Sequence, residues 1–178
     1  MARALVPYAM NQRAGSSQNA SKLAYSRCSV RFLFSLRYCY ALGMNEPLVH
    51  VLIINWNGRE HLRTCFDSLL AGSYENVEYV LVDNGSGDGS AQFVREQYSD
   101  ERIVIVELGK NLGWSGGNNA GMLRALELGA QYIFLINNDT WTAPDTVRLL
   151  VEQAENAPET GALAPKMLLF DAPQLLNS

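Results

Sequence analysis

The sequence predicts an α/β protein of three layers, in which helices cover a mostly parallel sheet. Short apolar runs rich in β-branched residues alternate with stretches whose apolar residues recur at helical spacing, which is typical of βαβ units. Four of the runs are followed by small polar residues, and ligands of open parallel sheets bind just beyond the carboxyl ends of the strands. A chain of 178 residues is long enough for one domain with a sizeable core.

The charged residues divide the chain at Glu46. Six of the 14 basic residues precede it without any acid, whereas all 18 acidic residues lie from Glu46 onward beside eight basic ones. An acidic main domain argues against nucleic acid as a partner, because surfaces that bind nucleic acid are basic. Cys28, Cys39 and Cys65 form no CxxC pair, so we expect neither a disulfide framework nor a zinc site, and a cytoplasmic location follows.

Residues 1–43 are predicted to be a basic, disordered extension, and residues 44–178 the folded domain, with Met44 as its natural start. Residues 1–25 are rich in Ala, Ser, Asn and Gln and show no sustained periodicity. Residues 30–43 are more apolar, but they fall short of the roughly 20 apolar residues that a membrane span needs. The alternative is a basic amphipathic patch that associates peripherally with the inner face of an anionic membrane.

The periodicity of apolar residues in the folded domain predicts the order of its strands and helices. Five strands are expected, at residues 48–54, 77–82, 103–106, 132–136 and 162–170, the last one broken by Pro165. Four helices are expected between them, the third over about 115–128 and the fourth with Pro144 in its first turn. Their inward-facing residues are Leu62, Cys65, Phe66, Leu69 and Leu70, then Ala91, Val94 and Tyr98, then Met122, Leu123 and Leu126, and finally Val147, Leu150, Val151 and Ala154.

The fourth strand carries the most informative ending. The apolar run Tyr132–Ile136 stops at Asn137, Asn138, Asp139 and Thr140. A carboxylate at a strand end can hold a hard cation, and the cation can hold a phosphate. The alternative is that Asp139 only caps the following helix.

The first two strands also end in residues with two interpretations. Trp56 directly follows a buried strand, where its flat ring could stack on a nucleobase or belong to the core. Asp83 could accept the imide N–H of a uracil or thymine base, or it could serve only the turn chemistry of Asp83-Asn84-Gly85. Asp88 and Ser90 are expected to cap the next helix.

The segment Gly109–Gly121 holds five glycines and three asparagines in thirteen residues. Glycine permits close approach of the backbone to a ligand, and asparagine offers a donor and an acceptor without charge. Tight packing of a helix is the alternative explanation. The chain lacks the GxGxxG of dinucleotide-binding proteins, the GK[ST] of a P-loop and the GxSxG of a nucleophile elbow.

Four sequence blocks, in this order along the chain, resemble the family 2 glycosyltransferases and especially their rhamnosyltransferase-like branch: VLIINWNG, VLVDNGSGDGS, NLGWSGGNNAG and LINNDT. The resemblance covers about residues 47–173. It implies the Rossmann-like GT-A fold, a nucleotide-diphosphate-sugar donor, a divalent cation (Mg²⁺ or Mn²⁺) and inversion at the anomeric carbon. UDP- and dTDP-sugars both fit, and the branch favours dTDP-rhamnose. A saccharide or lipid-linked acceptor and a role in cell-wall polysaccharide synthesis are also implied.

The resemblance also implies roles for individual residues. Trp56 would stack on the base, Asp83 would bind its imide edge, and Asn138 would face the ribose or sugar. Asp139 would bind the metal, while Asn137 stands where the family has the first acid of its DxD element. The residues that match the glycine/asparagine block of the donor pocket are Asn111, Gly113, Gly117, Asn119 and Gly121.

The chain departs from the resemblance near its end. Family members continue further, and their later half supplies the acceptor site and the general base. The acids after Asp139 are Asp145, Glu152, Glu155, Glu159 and Asp171, and none is expected to act as that base. The chain is therefore expected to be the N-terminal, donor-binding half of an enzyme. Two alternatives remain: a truncated, non-catalytic module that binds nucleotide or protein, and a nucleotidyltransferase, against which the missing glycine-rich basic loop argues.

Overall fold

The computed structural model describes residues 3–7, 46–169 and 171–176. Within these residues the elements follow one another as β1 (Arg3–Pro7), β2 (Val49–Asn55), α1 (Arg59–Leu70), β3 (Val77–Asp83), α2 (Ser90–Gln97), β4 (Ile103–Glu107), α3 (Gly113–Glu127), β5 (Tyr132–Asn137), α4 (Thr146–Asn156), β6 (Leu168–Leu169) and β7 (Ala172–Leu176). Strands and helices alternate from β2 to α4. The predicted α/β class is confirmed.

The main sheet has the strand order β1-β5-β2-β3-β4, and its four strands β5, β2, β3 and β4 run parallel to one another. The mostly parallel sheet is therefore confirmed. Strand β1 was not predicted; it pairs antiparallel with the outer side of β5, with Val6 opposite Ile133. It lies inside the segment 1–43 expected to be disordered, and residues 1–2 and 8–43 of that segment are outside the described residues.

The strand register brings the predicted polar residues to one edge of the sheet. Asn55 is paired with Asp83, and Asp83 with Glu107, so β2, β3 and β4 end level with one another. On the other side of β2, Ile54 is paired with Asn137 of β5. We call this line of strand ends the carboxyl edge. Its existence follows from the parallel topology, as the sequence predicted.

Helices cover both faces of the sheet. Helices α1, α2 and α4 bury apolar residues against one face, in contact with alternate residues such as Val51, Leu81 and Phe134. Helix α3 covers the opposite face, where it packs on Leu52, Val80 and their neighbours. Because both faces are buried, the central strands β2 and β3 are mostly apolar, with runs such as Val51–Ile54 and Tyr79–Val82. No helix in the described part of the chain has both the length and the apolar character needed to cross a membrane.

Three predictions about individual elements are wrong in detail. Helix α3 begins at Gly113, two residues before the predicted start, and Leu123 is 64% exposed instead of facing inward. Its buried face consists of small or polar residues, which let the helix lie close to the sheet: Gly117, Asn118, Gly121 and Ala125. Pro144 precedes α4 instead of lying in its first turn, because the helix begins at Thr146.

The strand predicted at residues 162–170 is also wrong. Among the described residues of that range, Leu168–Leu169 alone forms a strand, which pairs antiparallel with Ala172–Leu176 in a separate two-stranded sheet. Pro165 accounts for the difference, since proline cannot donate to a strand ladder.

Candidate functional site

Asp83, the last residue of β3, is buried, and its carboxylate is held through one oxygen. Its Oδ1 accepts hydrogen bonds from Ser86 N (3.3 Å), from the Ser86 hydroxyl and from Asn55 Nδ2 (3.4 Å). The carboxylate is thus oriented through Oδ1, and its Oδ2 accepts no hydrogen bond from the described residues. Turn chemistry and ligand binding are compatible here, because each uses a different oxygen.

Asn55 connects the ends of three strands, although the sequence analysis did not select it. Its Nδ2 also donates to Ser86 Oγ (3.2 Å), and its Oδ1 accepts from Asn138 Nδ2 (2.6 Å). A Cβ at Gly58 would lie 1.9 Å from Asn138 Nδ2, so this position must remain glycine for Asn138 to reach Asn55. The polar residue that ends the apolar run Val51–Ile54 was the available signal. Asn55 fixes the relative positions of Asp83 and Asn138.

Asn84 fastens the loop between β4 and α3 to the end of β3. Its Oδ1 accepts from Leu112 N (2.9 Å), and its Nδ2 donates to Asn111 Oδ1 (3.1 Å) and to Gly113 O (3.1 Å). At Gly85, where φ is +77°, a Cβ would lie 2.5 Å from the Lys110 carbonyl carbon. The two segments therefore meet backbone to backbone. Asn84 was missed because its neighbour Asp83 gave the stronger chemical signal.

The glycine/asparagine block divides into two parts with different structural causes. Asn111 and Gly113 lie in the loop beside Asn84, and Asn111 Oδ1 also accepts from Gly113 N (2.7 Å). Gly117 and Gly121 instead face the sheet, where added Cβ atoms would lie 2.7 Å from Ile54 and 2.3 Å from Leu52, respectively.

The alternative of tight helix packing thus holds for Gly117 and Gly121. Asn119 is exposed on α3, and its side chain makes no hydrogen bond within the described residues, so the structure does not bring it to Asp83.

Asp139 lies in a turn closed by a hydrogen bond from Thr140 N to Asn137 O (3.3 Å). Its side chain is exposed. Helix α4 begins seven residues later with Asp145 at its N-cap position, so Asp139 does not cap it. The buried Cys65 thiol lies close by, 3.9 Å from Asn137 O. Burial raises the pKa of this thiol to about 12, and the negative charge of Asp139 adds to the effect.

The oxygen atoms at this turn suit a hard cation that a ligand helps to hold. Asp139 offers an exposed carboxylate, and Asn138 keeps its Oδ1 without a hydrogen bond from the described residues. No group of three His, Cys, Asp or Glu side chains that could hold an ion exists among residues 46–169 and 171–172. Mg²⁺ is commonly bound by one or two carboxylates together with substrate phosphates and water, and this donor set fits that arrangement.

Trp56 is 57% exposed, so it is not a core tryptophan. It leaves β2 at a sharp bend in which Asn57 has a positive φ of 48°. The bend is fixed to the next loop, because Asn57 N donates to Ser86 Oγ (2.9 Å) and Asn57 Oδ1 accepts from Gly87 N (2.8 Å). The indole ring is therefore presented on a held backbone near Asp83.

Asp88 serves the starts of two helices. Its Oδ1 accepts from Ser90 N (3.0 Å) at the start of α2, as predicted, and its Oδ2 accepts from Arg59 N (3.0 Å) at the start of α1. The prediction that Ser90 is also a cap is wrong, because Ser90 is the first residue of α2 and Gly89 holds the N-cap position. Burial would raise the pKa of Asp88, but these hydrogen bonds outweigh it and hold the pKa below its usual value. Asp88 therefore stabilises the frame of the carboxyl edge and is not available to a ligand.

Comparison with known sequences gives consistent results. Residues 50–171 match the family described as Glycosyl transferase family 2. The chain is 30% identical over 109 residues to "Glycosyltransferase GlyA" of Streptococcus pneumoniae, covering 61% of this chain and 15% of that protein. It is 30% identical over 134 residues to "Galactofuranosyltransferase GlfT1" of Mycolicibacterium smegmatis, covering 74% of this chain and 43% of that protein. The chain thus spans less than half the length of these relatives.

Comparison with solved structures supports the fold. The crystal structure of residues 1–349 of TarS from S. aureus superposes with a TM-score of 0.57 at 17% identity, over 62% of this chain and 33% of that one. The same protein has been solved with UDP and with UDP-GlcNAc. At this level of identity the likeness concerns the fold, and it agrees with the GT-A architecture that the sequence blocks imply.

Proposed function

The chain belongs to glycosyl transferase family 2, and from this premise we propose that its carboxyl edge binds a nucleotide-diphosphate sugar for transfer to a saccharide or lipid-linked acceptor. The observation that carries the proposal is the carboxylate of Asp83, in which Oδ1 accepts hydrogen bonds and Oδ2 accepts none from the described residues. A buried carboxylate with one oxygen bound and one open is built to accept a single N–H group.

The base is assigned to the space between Asp83 and Trp56. Uracil and thymine each carry one imide N–H, which Asp83 Oδ2 can accept, and the exposed face of Trp56 can stack on the ring. The proposed donors are therefore UDP- and dTDP-sugars. The likeness to the rhamnosyltransferase-like branch makes dTDP-rhamnose our first choice.

The diphosphate is assigned to the turn that follows β5. Asp139 and the Oδ1 of Asn138 would hold Mg²⁺ or Mn²⁺ there, and the ion would supply positive charge beside the diphosphate. Asn111 and Gly113 would line the pocket on the opposite side, in the loop that Asn84 fastens. Asn84 acts on the ligand only through that loop, so it is a positioning residue.

For the acceptor side, the proposal concerns only which acids do not serve as the general base. Inverting transfer needs a carboxylate that takes the proton of the acceptor hydroxyl. Three acids beyond Asp139 are already engaged: Asp145 with Ser73 and Arg148, Glu152 with Arg148, and Glu155 with the Tyr132 hydroxyl. We therefore assign the general base to none of these three.

The proposed setting is cell-wall polysaccharide synthesis at the cytoplasmic face of the membrane. Relatives with names such as "Poly-beta-1,6-N-acetyl-D-glucosamine synthase" of Staphylococcus aureus, 24% identical over 143 residues, support this setting.

Calorimetry and a transfer assay together test the proposal. The full chain should bind UDP or dTDP in the presence of Mg²⁺ and should bind ADP and CDP much more weakly, since neither adenine nor cytosine carries an imide N–H. Equal affinity for all four would refute the assignment of Asp83. Transfer of labelled sugar to lipid-linked acceptors would show a catalytic chain, whereas binding without transfer would favour the alternative of a non-catalytic nucleotide-binding module.

A further inference from the structure

All three tryptophans of the chain lie at the carboxyl edge, two in loops and one in the first turn of a helix, and all three are exposed. Trp56 follows β2, Trp114 lies at the start of α3, and Trp141 follows the turn after β5, with exposed fractions of 57%, 45% and 55%, respectively. Tryptophan is highly buried on average in folded proteins, so a set of exposed indoles at one edge needs an explanation. The nucleobase accounts for Trp56 only.

The backbone that follows Trp141 is held in place. Thr142 is buried, and its N–H donates to Ser68 Oγ (3.0 Å), whose hydroxyl in turn donates to Cys65 O (2.8 Å). A little further on, Ser73 N donates to Pro144 O (2.9 Å). The loop is thus tied to α1 and to the segment after it. The indole is carried on an ordered backbone, so a ligand that binds it would order little additional chain.

The indole of Trp141 has no partner in the described part of the chain. No hydrogen bond, aromatic pair or cation–π contact involves it there, although more than half of its surface is open to solvent. Exposed aromatic surface beside convergent polar groups is typical of ligand-binding sites. The polar groups here are Asn138 and Asp139, two or three residues earlier in the chain.

The position of Trp141 along the edge separates it from the base. Asp83 ends β3, Asp139 follows β5, and β2 lies between these strands. Two strand spacings amount to roughly 10 Å. In a nucleotide sugar the sugar ring is attached beyond the diphosphate, on the side away from the base. Trp141, two residues beyond Asp139, therefore stands at the sugar end of the site.

We propose that Trp141 is a platform on which a sugar ring stacks, an inference that rests on the proposed nucleotide-sugar function. One face of a hexose carries C–H groups with partial positive charge, and these are attracted to the negative face of an indole ring. The indole N–H can in addition donate to a sugar hydroxyl. The ring is either the sugar of the donor or the terminal sugar of the acceptor, and both present the same chemistry.

Trp141→Ala in the full chain distinguishes the two sources. Affinities for UDP, UDP-GlcNAc, dTDP and dTDP-rhamnose are measured by calorimetry, and saccharide binding is measured on an array of bacterial glycans with nucleotide present. A donor platform predicts a loss of about threefold to tenfold in affinity for the nucleotide sugar, with unchanged affinity for the nucleotide. If Trp141 instead binds the acceptor, the substitution should weaken saccharide binding on the array and leave the affinity for the nucleotide sugar unchanged. Trp141→Phe should retain most of the affinity, and Trp56→Ala should weaken the bare nucleotide as well.

Fluorescence provides a second measurement that needs no truncated side chain at position 141. In a chain carrying Trp56→Phe and Trp114→Phe, Trp141 is the only tryptophan, and its emission should shift to the blue with the bound sugar but not with the nucleotide. If Trp141→Ala binds every nucleotide sugar and every glycan with wild-type affinity, and the emission does not shift, this inference is wrong while the proposed function still stands. Failure of the wild-type chain to bind any of these nucleotides would refute the proposed function, and this inference with it.

Discussion

Asp83→Asn separates the structural role of Asp83 from its proposed role in binding. Ser86 N and Asn55 Nδ2 both donate to Oδ1, so the oxygen of the new amide is expected to keep that side. The NH2 group then replaces the open Oδ2. The internal hydrogen bonds survive, and the urea midpoint of unfolding should stay close to that of the wild type. A nucleobase imide N–H, however, would now face a donor instead of an acceptor.

The expected loss follows from the hydrogen bond that disappears. A hydrogen bond to a charged group contributes about 1.5–3 kcal/mol, so the Kd for UDP or dTDP should rise by roughly tenfold to a hundredfold. The substitution also predicts a change of preference. The N3 atom of cytosine accepts a hydrogen bond, and the amide of Asn can donate one, so the variant should gain affinity for CDP relative to UDP. Asp83→Ala should lose affinity for both, and stability as well.

Isothermal titration with UDP, dTDP and CDP, each at one fixed Mg²⁺ concentration, provides the measurement. Unchanged affinity for UDP and dTDP in a folded Asp83→Asn protein would refute the reasoning, because the open Oδ2 would then have no ligand. An equal loss for all three nucleotides would also contradict it, since the contact would not depend on the base.

Three further predictions concern other parts of the edge. Asp139→Ala should remove the Mg²⁺-dependent part of UDP or dTDP binding and leave uridine or thymidine binding intact; equal metal dependence by calorimetry in variant and wild type would exclude Asp139 from the site. Asn84→Ala should lower the free energy of unfolding by about 1–3 kcal/mol, because Leu112 N–H loses its buried partner, and a wild-type urea midpoint would contradict this. With Cys28 and Cys39 changed to Ser, the Cys65 thiol should not react with Ellman's reagent at pH 8 until guanidinium unfolds the chain, since its pKa is about 12; rapid labelling of the folded protein would contradict its burial.

Much of the frame was predictable because it depends on local patterns. Alternating strands and helices gave the parallel sheet, and the inward face of α4 was predicted residue for residue as Val147, Leu150, Val151 and Ala154. The inward face of helix α3 was harder to predict. Its buried residues are small or polar and carry no apolar signal except Ala125, so the prediction rested on Met122 and Leu126, which do pack against the core, and on Leu123, which is exposed.

The sequence alone determined the family, the parallel sheet and the carboxyl edge, because apolar periodicity and the order of four short blocks are properties of the linear chain. Only the tertiary structure decided which side chains of the carboxyl edge form hydrogen bonds with one another. Asn55 and Asn138 are 83 residues apart in sequence, yet they share a hydrogen bond, and no local pattern specifies such a contact. The same holds for the open oxygen of Asp83 and for β1, whose partner strand lies more than a hundred residues away. Hydrogen bonds depend on distances between atoms, and those distances exist only after the chain has folded.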